Sequence, residues 1–77
     1  MVTKIIKEIV AEQVGYDDPN EIATDMSLFE DLSIDDAGFL AMISAIEDEF
    51  SIEIDEEITE EMDSVNDIIS YVEKVVD

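Results

Sequence analysis

Between residues 8 and 73 the sequence contains no lysine or arginine, yet all but one of its 23 acidic residues fall there. No internal salt bridge can form within that stretch. Any fold it adopts must be held by apolar burial and backbone capping, against a self-repulsion that grows as the chain compacts. The three cations, Lys4, Lys7 and Lys74, stand near the two ends, and the formal net charge is −20 at pH 7. Such a surface cannot neutralise phosphates, which disfavours nucleic acid and anionic membranes and favours basic partners or cations. A solvated face that keeps the protein soluble and a docking surface for a partner both account for the run of acids. Because salt limits the repulsion to a range of ~8 Å at physiological ionic strength, added salt should stabilise the fold. The check is a melting temperature that rises between low and physiological salt.

Length and composition narrow the classes further. At 77 residues and 47% apolar residues, the chain is too hydrophobic for a disordered acidic tail and suits one small domain over residues 1–77. It has no Cys and no His, so thiolate nucleophiles, disulfides, imidazole bases and the common zinc sites are absent from the inventory. Paired carboxylates such as Asp35 and Asp36 have no cleft expected beside them and no neighbour to raise one pKa, so an enzyme is not expected. Lys4 and Lys7 precede an apolar stretch, but Glu8 and Glu12 interrupt it, unlike a signal peptide. The longest nearly apolar run, residues 39–46, is less than half of a membrane span. A cytoplasmic, monomeric protein is expected.

Hydrophobic periodicity places four helices. Ile5, Ile6, Ile9, Val10 and Val14 recur at helical spacing from residue 3 until Gly15, with Pro19 beyond. Residues 16–34 form a long loop whose apolar members, Ile22, Met26, Leu28, Phe29 and Leu32, should pack it onto the domain. Asp35 or Asp36 can cap a second helix, where Phe39, Ile43, Ile46 and Phe50 make a stripe flanked by Leu40 and Met42. Ser51 to Ile54 alternates like a strand but has no partner, and reads as an extended connector. Asp55 can cap a short helix over residues 56–62, and Ser64 with Asp67 resembles a capping box ahead of a last helix over 65–75. The expected fold is all-α, a small four-helix bundle with three longer helices, one short one and a packed loop.

A calcium loop of EF-hand type fails at its two most constraining positions: started at Asp31, it puts Asp36 where Gly is required and Met42 where Glu is. Asp55, Glu56, Glu57, Glu60 and Glu61 can hold divalent cations only weakly at the surface, so no dedicated metal site is expected, and an acidic cation-binding module is the alternative from another class.

The order and spacing of Phe29-Glu30-Asp31-Leu32, Glu47-Asp48-Glu49-Phe50, Ile52-Glu53-Ile54 and the segment from Ser64 to Val72 make the sequence resemble an acyl carrier protein over nearly its whole length. The resemblance implies a carrier in fatty-acid, other lipid or polyketide metabolism. In that family a serine in an Asp-Ser-Leu motif takes 4′-phosphopantetheine and carries acyl groups as thioesters. Aligned without gaps, Asp35 keeps the first residue, but Asp36 occupies the serine position and Ala37 the leucine position. Gly38 and Ala41 stand where the family tends to have acids. A single serine-blocking substitution would leave these neighbours intact, so the pattern reads as divergence.

A carboxylate would have to form a mixed anhydride with the arm's phosphate, which water cleaves, so no cofactor is expected at Asp36. Its simpler role is a helix start, shared with Asp35. Ser33 is the alternative attachment point, although it reads more simply as a turn residue in place of the family's glycine. The resemblance implies that Ile46, Ile54, Met62 and Ile68 would line any acyl cavity; ordinary core packing is the competing reading. It also implies docking to a basic partner surface, an enzyme of acyl-chain metabolism, through Asp35, Asp36, Glu47 and Asp48, with a smaller footprint because Gly38 and Ala41 interrupt it. The leading expectation is therefore a carrier-like domain that acts by docking. A true carrier modified at Ser33, or a non-modifiable variant, is the alternative.

Overall fold

The computed structural model describes residues 2–76; Met1 and Asp77, the ends of the single domain expected over residues 1–77, lie outside the described residues. Four helices follow in order: α1 (Val2–Val14), α2 (Asp36–Phe50), α3 (Glu56–Thr59) and α4 (Val65–Val76), with one 3₁₀ turn at Pro19–Glu21 between α1 and α2. Among the described residues no strand forms beyond one antiparallel bridge between Ser27 and Ser64. The connector after α2 is extended and unpaired, as its lone alternation implied.

α1 packs against both α2 and α4. The apolar stripes converge on one cluster that includes Ile6 and Val10 of α1, Met42 and Ile46 of α2, and Val65, Ile68 and Val72 of α4. Each such side chain, fully removed from water, contributes about 1.5–3 kcal/mol, the main force available to a chain with so few cations. The radius of gyration, 11.1 Å, is that of a fully packed chain of this length.

The long loop belongs to this core. Ile22, Leu28, Leu32 and Ile34 are buried, and backbone bonds tie the loop to the approach to α4: Leu28 N–H donates to Asp63 O at 2.8 Å, Val65 N–H to Met26 O at 3.1 Å and Asn66 N–H to Thr24 O at 2.8 Å. Asp18 caps the 3₁₀ turn, its Oδ1 accepting from Asn20 N–H at 2.9 Å. Gly15, at φ 82°, ends α1 in the left-handed conformation that its lack of a Cβ permits.

The capping box at α4 is complete. Asp67 N–H donates to Ser64 Oγ at 3.3 Å, while Asp67 Oδ2 accepts from the N–H groups of Asp63 and Ser64 at 2.9 and 3.1 Å. The Asp63 N–H bond holds the Asp67 carboxyl below its ordinary value of 3.8, partial burial opposes this, and the bonds from Ser64 reinforce it.

Four sequence expectations are corrected. The short third helix ends at Thr59 rather than reaching residue 62, and Asp55 caps it without a side-chain bond. Leu40 and Met42 do not flank the α2 stripe equally, since Met42 is buried and Leu40 is 60% exposed on the opposite side. Phe29 stays 39% exposed although the rest of the loop is drawn inward. The last helix runs to Val76, one residue beyond the expected end at 75, and Val75 and Val76 are exposed there.

Candidate functional site

Asp35 has extended backbone and its Oδ1 accepts from Gly38 N–H at 2.7 Å, so Asp35 is the cap and Asp36 the first helical residue of α2. The sequence left both open for that role. Both carboxylates are exposed at the positive end of the helix, which favours their charge. Gly38 has a packing reason: a Cβ there would meet Asp35 Oδ1 at 3.0 Å and Gln13 Nε2 of α1 at 3.1 Å. Its cost of about 1 kcal/mol in helix propensity is set against this close approach of α1 to the cap.

Ser33 is exposed and held at φ 54°, a left-handed conformation that glycine adopts without strain. This agrees with its reading as a turn residue. Ile34 N–H, next in the chain, donates to Leu28 O at 3.0 Å and fixes the turn on the loop.

Beside Asp36 lies an open cleft of about 450 Å³ between the start of α2, α3 and the residues before α4. Its floor is Phe39 and Met62, both buried, and its apolar edges are Phe29 and Leu40. The rings of Phe29 and Phe39 lie 5.4 Å apart between centroids and are inclined at 51°, a favourable aromatic geometry. Asp36, Glu56, Glu60 and Asp63 stand around it, all exposed.

The other candidate residues separate into distinct environments. Ile46, Ile54, Met62 and Ile68 all belong to the packed core, and of these Met62 alone lines the cleft. Glu47 is half-buried and its Oε2 accepts from Ile54 N–H at 2.7 Å, which ties the extended connector back to α2. Asp48 is exposed at the far end of the helix from Asp35 and Asp36. No three acidic side chains among the described residues are grouped so as to hold a metal ion, and this includes the pairs around α3.

Sequence reasoning grouped the helix-two acids and missed that α3 brings Glu56, Glu60 and Asp63 to the side of Asp36. The available signals were weak: the acidic run around α3 reads as solvated surface, and Leu40 lies one position off the apolar stripe.

Comparisons with known proteins bear on the family and the fold. Residues 4–72 match the family model described as "Phosphopantetheine attachment site". An acyl carrier protein of Bdellovibrio bacteriovorus is 36% identical over 69 residues, covering 90% of this chain and 87% of the relative. One from Clostridium acetobutylicum is 38% identical over 72 residues, covering 94% and 92%. A solved structure from Mycobacterium tuberculosis, provisionally described as an acyl carrier protein, superposes with a TM-score of 0.90 over 97% of this chain and 99% of that one, at 23% identity, and so speaks for the fold.

Proposed function

The chain belongs to the acyl carrier protein family, and from that premise we propose that it is a carrier-like protein of acyl-chain metabolism that works by docking a basic partner rather than by holding a thioester. The observation that carries this reading is the first residue of α2. In the family, a hydroxyl at the start of this helix is joined to 4′-phosphopantetheine as a stable phosphodiester. In the ungapped alignment the residue at that place is Asp36, which is also the first residue of α2. Its carboxylate would give an acyl phosphate, which water cleaves, so the residues present do not fit a permanent arm. Acyl carrier proteins are carriers rather than catalysts, which fits the absence of His and Cys from the whole sequence.

The docking reading draws on the free acids of α2. Asp35 and Glu47 each commit a carboxylate oxygen to a backbone N–H, while Asp36 and Asp48 have no such bond. The partner is an enzyme of lipid, fatty-acid or polyketide metabolism with a basic surface, met by a monomer in the cytoplasm. Among the described residues no helix is long and apolar enough to cross a membrane.

The test is incubation with coenzyme A and a broad-specificity phosphopantetheinyl transferase, followed by intact mass. The expected result is no gain for the natural sequence. A gain of one arm that disappears in Ser33→Ala would overturn the proposal in favour of an atypical carrier.

A further inference from the structure

The long loop and the start of α4 meet in a pattern that repeats itself. Ser27 opens a single turn in the loop: its Oγ accepts from Glu30 N–H at 3.2 Å, and Asp31 Oδ2 accepts from Ser27 N–H at 2.8 Å in return. Ser64 opens α4 with the same exchange, made there with Asp67 alone. The two serines face each other in the antiparallel bridge. Across it, the residue after each serine donates to the residue before the other: Leu28 N–H to Asp63 O at 2.8 Å, and Val65 N–H to Met26 O at 3.1 Å. Leu28 and Val65 are both fully buried, so each box aims one N–H across the bridge and one side chain into the core.

We propose that these two boxes and the bridge between them are one latch, which opens as a unit when acid discharges its carboxylates and releases residues 24–32 from α4 while α1, α2 and the rest of α4 stay packed. Each half of the latch turns on one rigid peptide plane. The C=O of Asp63 and the N–H of Ser64 share a plane: Asp67 holds its N–H edge, and Leu28 N–H binds its oxygen edge. The C=O of Met26 and the N–H of Ser27 share another, held by Asp31 on one edge and by Val65 N–H on the other. A carboxylate that lets go frees its plane to rotate, and the bond across the bridge goes with it.

Charge is the trigger, because a bond from N–H to an ionised carboxylate is about twice as strong as one to a neutral acceptor. Asp67 stays ionised to lower pH than an ordinary carboxyl, chiefly through the Asp63 N–H bond. Its contribution is complete above the unfolded value and is lost as pH falls through the folded one. The charged groups around it are all acids: Asp63 beside it in the chain, Asp31 across the bridge, Glu60 and Glu61 just past α3, Asp36 at the start of α2 and Glu12 in the last turn of α1. Elsewhere in the fold, protons relieve the repulsion among acids and tighten the packing. Acid therefore acts with opposite signs on latch and core, which makes the opening local. The inference rests on the fold and is independent of the docking reading.

A double-mutant cycle in urea on the full chain tests whether the latch is one unit. Asp31→Ala and Asp67→Ala should each raise the unfolding constant about ten-fold. Together they should raise it only about twenty-fold, since the second removes a bond already lost with the first. Asp67→Ala with Asp35→Ala, whose cap lies outside the latch, should instead multiply. A product near a hundred-fold for the Asp31 and Asp67 pair, or no effect of either change alone, overturns the proposal. Amide hydrogen exchange of the natural sequence, at about pH 6.5 and about pH 3, needs no variant. Protection at Leu28, Val65 and Asn66 should fall together, about ten-fold further than at Ile6, Val10 and Ile46. Latch and core amides falling in step would mean global unfolding, and Val65 falling without Leu28 would mean two separate caps; either result overturns the latch.

Discussion

The starts of α2 and α4 lie at the same end of the bundle, where Asp36 and Asp63 share one cleft, yet the two helices begin in different ways. At α4 the cap is reciprocal: Ser64 serves Asp67 N–H, and Asp67 serves the N–H groups of both Ser64 and Asp63. At α2 the cap is one-sided. Asp35 serves Gly38 N–H, but Gly38, in the position that Asp67 holds in α4, has no side chain with which to answer. One terminus is closed by its own sequence, while the other is left half-built beside the candidate site. The difference predicts that the cap of α4 contributes more to stability than the cap of α2.

The largest effect should come from breaking the closed cap. Asp67→Ala removes the acceptor of two backbone N–H groups and should cost about 1–2 kcal/mol, read as a lower midpoint in urea. Its pH dependence has a definite sign. The Asp67 carboxyl titrates below its ordinary 3.8 in the folded protein, chiefly through the Asp63 N–H bond. Its contribution is therefore fully present above the unfolded value and is lost as pH falls through the folded one. The difference in stability between the natural sequence and Asp67→Ala should be constant near neutrality and shrink below about pH 4. Using the difference cancels the change in overall repulsion as the other acids are protonated.

Asp35→Ala breaks the open cap and should cost less, about 1 kcal/mol, measured in the same urea series. If it costs more than Asp67→Ala, the contrast between the two termini is wrong. The smallest expected effect has the opposite sign. Ser33→Gly relieves the left-handed conformation at φ 54° and should raise stability by about 0.5–1 kcal/mol, the left-handed penalty less the entropy that glycine loses. A loss of stability on this change would mean that the Ser33 hydroxyl has a role in the turn.

Much of the fold is legible in local pattern. The stripe of Ile6 and Val10, the burial of Ile46 and Ile68, and the Ser64 and Asp67 box all follow from spacing, because helical period and capping are properties of a few consecutive residues. The fates of Leu40, Phe29 and Val75 do not. Each is apolar, and each stays exposed in the fold. Glu47 misleads in the other direction: it reads as a surface acid, and the connector folds back to take its carboxylate.

By itself the sequence determined the four helices, the packed loop and the family to which the chain belongs. These are carried by residue type and order along the chain. Only the tertiary structure decided which acids face one another and which apolar side chains stay in water, because Asp36 and Glu60 are distant in sequence and meet across a cleft that exists only once α3 is folded against α2.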